Sequence, residues 1–290
     1  MTFTSDPLAA LLQPERLTAV VDIGANPIDT DPPYKRMLAN RLCTLVGFEP
    51  QADGLAALNT RKSDLETYLP YAVGDGTPGT LKICQAPGMT SLHTPNPRVL
   101  NCFPGFAQFG RVVKEIPVET RTLDSISEIP NLDFLKIDVQ GSELAIFRHG
   151  SARLINAIAI QTEISFVPLY LNEPVFGQID TALRALGFIP HMFDKINKRM
   201  ILPIHYADNI FAAMNQLLEA DIVYVRDFTQ PEKMSLEQLK HLAMVAHHCY
   251  ASYDLAANCI HNLVGRNALP ADAVGRYLEI LRASAAAAAA

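Results

Sequence analysis

Val20-Val21-Asp22-Ile23-Gly24-Ala25-Asn26 is an apolar run that ends in an acidic residue and a small-residue turn. About one βα unit later, Gly47-Phe48-Glu49-Pro50 ends a second apolar run in another carboxylate. Two apolar strands that each finish on an acid suit a nucleoside-bearing cofactor lying across the carboxyl ends of a parallel sheet. The turn itself narrows the choice. A dinucleotide site needs G-x-G-x-x-G so that a helix N-terminus can approach a pyrophosphate. Here Gly24 stands alone before Ala25-Asn26-Pro27-Ile28-Asp29, and no Tyr-x-x-x-Lys pair supports a nicotinamide dehydrogenase. A cofactor with a small zwitterionic end needs only a few backbone N–H groups for a carboxylate and an acid for an ammonium. Asp22 with Gly24, Ala25 and Asn26 supplies both, which favours S-adenosylmethionine.

Working outward, the chain alternates strand and helix signals. Strands are expected at 17–24, 43–48, 68–73, 80–84, 114–121, 132–139 and 155–164, with later ones at 187–189, 200–202 and 221–226. Helical patterns occupy 34–41, 52–58, 143–148 and 175–186. Residues 122–126 start another helix, and the polar run 194–198 is expected to turn between two late strands. This alternation predicts an α/β, doubly wound, mostly parallel sheet. Between Ala86 and Gly110, Pro87, Pro95, Pro97 and Pro104 predict an ordered lid or substrate loop. After Pro231 the pattern becomes purely helical, opened by the capping box Ser235-Leu236-Glu237-Gln238. The expected division is a cofactor-binding domain over 1–230 and a C-terminal helical extension over 231–290. The extension could serve a homodimer or pack on its own sheet.

Three acids at successive strand ends form the cofactor set. Glu49 is placed to accept from both ribose hydroxyls, and Asp75 in Val73-Gly74-Asp75-Gly76 from the adenine amine. Asp138, ending the 132–139 strand, and Glu163, on the next strand, are the candidate catalytic carboxylates. One could take a proton from an acceptor hydroxyl, or the pair could hold a divalent cation. Alternatively, Asp138 orients loop backbone and Glu163 makes a salt bridge. His93, in the proline-rich segment, is a further candidate base, although loop histidines are more often surface residues.

Val21–Asn26, Gly47–Pro50, Ala72–Asp75, Thr122-Leu123-Asp124 and Leu135-Lys136-Ile137-Asp138-Val139-Gln140-Gly141-Ser142-Glu143-Leu144 together resemble the FkbM-type methyltransferases. The resemblance spans roughly 17–228 and is most specific over 135–144. It implies S-adenosylmethionine, a seven-strand Rossmann-like methyltransferase sheet and transfer to a hydroxyl oxygen, with a sugar or glycan as the favoured acceptor and a natural-product scaffold as the alternative. The stretch Ile28 to Pro33 departs from the family pattern. A cofactor-binding protein without turnover is the competing reading. Gln140 stands where an acid is common in that family.

Composition restricts partners. Of 290 residues, 49% are hydrophobic, none is tryptophan, and the net charge is -6. An acidic chain without a Lys/Arg block is a poor nucleic-acid binder. Five scattered cysteines without a C-x-x-C pair read as thiols in a reducing compartment. The N-terminus has no secretory pattern and no stretch reaches membrane-spanning length, so a soluble cytoplasmic protein is expected. The Ala285–Ala290 run carries no functional weight.

Overall fold

The computed structural model describes residues 6–25, 31–206 and 209–289. In chain order its first elements are α1 (Pro7–Leu12), β1 (Thr18–Ile23), α2 (Lys35–Ala39), β2 (Cys43–Phe48), α3 (Ala52–Arg61), β3 (Glu66–Leu69), β4 (Ala72–Val73) and β5 (Pro78–Cys84). Then follow α4 (Pro97–Leu100), α5 (Phe106–Phe109), β6 (Val112–Arg121), β7 (Phe134–Ile137), α6 (Glu143–Arg148), α7 (Ser151–Leu154), β8 (Ala159–Ser165) and α8 (Phe176–Ala185). The chain finishes with β9 (Phe188–Arg199), β10 (Gln216–Arg226), α9 (Leu236–Tyr250), α10 (Tyr253–Gly265) and α11 (Ala273–Ala289).

Seven strands form one sheet in the order β3-β2-β1-β7-β8-β10-β9. β10 is antiparallel to both its neighbours, and every other pair in that sheet is parallel. The chain builds outward from β1 to β3, then returns to start the other half at β7. This reversal beside β1 is the topological switch point, where open α/β sheets leave a crevice at the strand carboxyl ends. Helices cover both faces, so the central strands are apolar on both sides. One core joins β1, β2 and β10 to α1, α9, α10 and α11 through residues such as Val20, Leu45, Val223, Leu242 and Ile260. The other joins the opposite side of the sheet to α6, α7 and α8 through Val21, Leu135, Ile160, Phe147 and Leu183.

The helical tail is therefore part of a sheet-covering layer. Buried residues of α9 and α10 share one core with β1, β2 and β10, and α11 packs on α10 and α1. The capping box forms as read: Gln238 N–H donates to Ser235 Oγ at 3.1 Å and Ser235 N–H to Gln238 Oε1 at 2.8 Å. The helical run breaks at Ala251, which takes a left-handed φ of 52°.

Four expectations are corrected. The strand read at 68–73 is two, β3 in the large sheet and β4 in a separate three-stranded sheet of order β4-β6-β5. Pro70, which lacks an N–H for a ladder, lies between them. The polar run 194–198 is no turn. It continues β9, a 12-residue edge strand, and edge strands carry charges that discourage further pairing. Residues 200–202 consequently form no strand. The segment 86–110 contains α4, α5 and a turn of 3-10 helix at Pro87–Met89. It closes over its own small core, where Met89, Leu100, Phe103 and Phe106 meet Leu169, Tyr170 and Leu218.

Candidate functional site

Alternation along β1, β7, β8 and β10 decides what reaches the crevice. Residues two apart share a face. Val20, Phe134, Ala159 and Val223 sit in the core under α9 and α10. The same face, nearer the strand carboxyl ends, carries Asp22, Lys136, Gln161, Glu163 and Asp221. These five line a cavity of about 730 Å³ together with Glu49, Asp138 and Phe106.

Asp22 is 2% exposed. Its Oδ2 accepts from the Tyr34 hydroxyl at 2.5 Å and its Oδ1 from Lys136 Nζ at 3.2 Å. Lys136 is the register partner of Asp22 across the β1–β7 pair. Burial alone would lower the lysine's proton affinity, but Asp22, Asp138 and Asp221 around it raise it above the ordinary value, so it stays charged. Gly24 has φ +83°, and a Cβ there would lie 2.1 Å from the Asp138 carbonyl oxygen. Only glycine lets β1 turn this close to the end of β7. The Gly24 and Ala25 amides both donate to the Phe48 carbonyl, at 3.1 and 3.0 Å. They join β1 to β2 and are not free for a ligand carboxylate. Asn26 and the stretch 28–30 lie outside the described residues.

Glu49 follows β2 and is 3% exposed. Its Oε1 accepts from Gln51 N–H at 2.7 Å, and among the described residues nothing donates to its Oε2. Burial raises its proton affinity, offset in part by that amide. A buried carboxylate with a free oxygen facing a cavity fits the hydroxyl pair of a ribose. Asp75 does not join it. That carboxylate is exposed and accepts from Thr77 N–H and Oγ at 2.9 and 2.6 Å. It caps a turn beside β4, off the cavity wall.

The 135–144 block folds back on itself. Glu143 accepts from Val139 N–H at 3.0 Å and Gly141 N–H at 2.9 Å, clamping the turn after β7. Burial pushes its carboxyl up to about 8. Within the turn Gln140 has a left-handed φ of 55°. Its Nε2 donates to Asp138 Oδ1 at 2.8 Å and to Glu163 Oε2 at 2.5 Å. One neutral amide thus bridges the two candidate catalytic carboxylates. Burial, then Asp138, raises Glu163 well above the ordinary carboxylate range. Among the described residues no group of three His, Cys, Asp or Glu side chains is placed to hold a metal ion.

The 86–110 segment and the loop after β8 reach this pair from above. The Tyr170 hydroxyl is shared between Gln140 Oε1 at 3.0 Å and the Met89 carbonyl at 3.1 Å, and Ser91 Oγ donates to the Gln140 carbonyl at 2.6 Å. His93 packs behind the turn. A Cβ on Gly141 would meet its ring at 3.2 Å, its Nδ1 lies 3.4 Å from the Leu171 carbonyl, and it does not line the cavity. The structure therefore assembles Asp22, Gly24, Ala25, Glu49, Asp138 and Glu163, and leaves Asp75 and His93 aside.

Sequence reasoning passed over Lys136, Tyr34, Glu219 and Asp221. The two-residue spacing of Lys136 and Asp138 was a usable signal for the lysine. Tyr34 reaches Asp22 through tertiary packing that no local pattern announces. Glu219 and Asp221 come from β10, whose reversed direction carries its N-terminal half to the crevice.

The family model described as "Methyltransferase FkbM domain" matches residues 22–190. No curated protein matches the sequence. Among solved structures the chain is similar to magnesium protoporphyrin IX methyltransferase (ChlM) from Synechocystis PCC 6803 with bound SAM. The identity is 10%, 76% of each chain is covered and the TM-score is 0.38. It is also similar to precorrin-6y C5,15-methyltransferase from Geobacter metallireducens GS-15, at 10% identity over 76% of this chain and 85% of that one, with a TM-score of 0.37. No helix among the described residues is long and apolar enough to cross a membrane.

Proposed function

We propose, because the chain belongs to the FkbM methyltransferase family, that it is an S-adenosylmethionine-dependent O-methyltransferase acting on a hydroxyl of a carbohydrate or glycan. The observation that carries this is Glu49, a buried carboxylate at the end of β2 with one oxygen unengaged among the described residues, opening onto the cavity that runs along the sheet to Asp138 and Glu163. The donor set fits the cofactor: an acceptor for two ribose hydroxyls at one end, and charges of both signs on Asp22 and Lys136 for a zwitterion further along.

Bound S-adenosylmethionine supplies a methyl group already activated on a sulfonium. What remains for the protein is in-line positioning, exclusion of water and removal of the hydroxyl proton. Asp138 Oδ2 and Glu163 Oε1 accept no hydrogen bond from the described residues, so either oxygen can receive that proton. Gln140 fixes both carboxylates with its two N–H groups. The 86–110 segment, tied down through Tyr170 and Ser91, acts as the substrate loop that excludes water. Residues 1–230 form the catalytic unit, and 231–290 are an extension that backs its sheet. The protein works in the cytoplasm, where its five cysteines, all unpaired, remain thiols.

Transfer of labelled methyl groups to a panel of sugar nucleotides and glycan fragments tests this reading. Incorporation into a hydroxyl of a sugar supports it. Incorporation confined to nitrogen or carbon acceptors overturns the oxygen assignment.

A further inference from the structure

The first turn has no described amide to offer a carboxylate, because Gly24 N–H and Ala25 N–H both serve the Phe48 carbonyl. Among the described residues, the donors left for the carboxylate of an amino-acid end in this crevice are side chains. Lys136 is beside the turn, in register with Asp22, and its side chain is 20% exposed, into the cavity that it lines. Its ammonium has a single hydrogen bond among the described residues, to Asp22 Oδ1 at 3.2 Å. Two of its three donors are left over. The other cavity lysine and arginine, Lys195 and Arg199, belong to β9. That strand is three places from β7 in the sheet, about 14 Å at the usual strand spacing. Asp22 cannot swing away from Lys136 freely, because Tyr34 holds its second oxygen at 2.5 Å.

We infer that Lys136 anchors the amino-acid carboxylate of the cofactor, while Asp22 receives its α-ammonium. This rests on the S-adenosylmethionine reading above. A zwitterion then extends the alternation of charge along the floor, its anion on Lys136 and its cation on Asp22. A charge-assisted bond of this kind discriminates strongly between ligands that carry the amino-acid end and those that lack it.

The test is calorimetry on the full chain with two probes. S-adenosylhomocysteine has the amino-acid end, and 5'-methylthioadenosine shares the nucleoside without it. In Lys136→Met the Kd for S-adenosylhomocysteine is expected to rise by at least about tenfold, with that for 5'-methylthioadenosine unchanged within about twofold. Lys136→Arg keeps the charge and is expected to retain most of the S-adenosylhomocysteine affinity. Equal weakening of both probes, or of neither, overturns the inference. Should Lys136→Met unfold because Asp22 is left buried and alone, Asp22→Asn with Lys136→Met removes that carboxylate. The double variant is expected to bind 5'-methylthioadenosine normally and S-adenosylhomocysteine weakly, and normal binding of both contradicts the assignment. Wild-type protein that binds neither probe contradicts the cofactor reading itself, a result distinct from either.

Discussion

The two faces of the central sheet are built from alternate residues of the same strands, yet they differ in kind. On the face covered by α6 and α8, Val21, Ile23, Leu135, Ile137, Ile160 and Ile164 keep the surface apolar to the strand ends. On the other face the apolar rows stop halfway. Asp22, Lys136, Gln161, Glu163 and Asp221 take over where α9 and α10 no longer cover the sheet. Hydrophobic burial holds the first face together. The second gives up that burial in its upper half, where every ionised group must find a partner or face the cavity. The charged residues and the cavity thus lie on one face, at one end of the sheet.

The contrast can be broken most sharply by chemistry. Asp138→Asn or Glu163→Gln is expected to lower kcat by about 10²- to 10⁴-fold, the usual weight of a proton acceptor, with the melting temperature nearly unchanged. Kinetics on the acceptor found by the methyl-transfer panel would measure it, and undiminished kcat in both variants would remove the pair from the reaction. The opposite face should respond in the inverse way. Leu135→Ala or Ile160→Ala, both fully buried, is expected to cost about 2–5 kcal/mol of stability. Urea unfolding measures that loss, and calorimetry on the folded fraction should show cofactor affinity little altered.

A gentler probe is pH. Burial raises Glu143 to about 8, and burial with Asp138 raises Asp221 to about 6. Each carboxyl keeps in the folded state a proton that the unfolded chain releases near the ordinary carboxylate range, about 4. Their contribution to stability is complete below that range. It is lost as pH rises through about 6 for Asp221 and about 8 for Glu143. Melting temperature is therefore expected to decline from about pH 5 to about pH 8.5. A steady rise over that interval would show that these carboxyls are ionised throughout.

Much of the apolar face was legible in the sequence, because continuous apolar runs over Val20–Ile23 and Leu132–Val139, punctuated by single charged residues, leave few alternatives to buried strands. β2 and α6 fall at the expected residues, Cys43–Phe48 and Glu143–Arg148. The errors cluster where polar residues belong to regular structure. Asp194 to Lys198 resemble a turn in composition but face the cavity and solvent from an edge strand. The prolines of 86–110 do open loops, yet they also start α4, where a missing N–H costs nothing at a first turn. In the site, the acids at strand ends were visible as strand ends. Whether an acid faces the cavity or caps its own turn depends on neighbours distant in sequence. Asp75 is engaged by Thr77, whereas Glu49 accepts only from Gln51 among the described residues. Gln140 shows the limit best. Its amide joins two carboxylates from different strands only because Gly141 and Glu143 set the turn that aims it.

The most direct test of the charged face as a cofactor site is calorimetric titration of S-adenosylhomocysteine into wild-type protein and Glu49→Ala. One site per chain is expected in the wild type. Loss of the buried ribose acceptor should weaken binding by at least about 1.5 kcal/mol, with folding intact. Absence of binding to the wild type, or equal affinity in the two proteins, would contradict the site described for the carboxyl ends of β1 and β2.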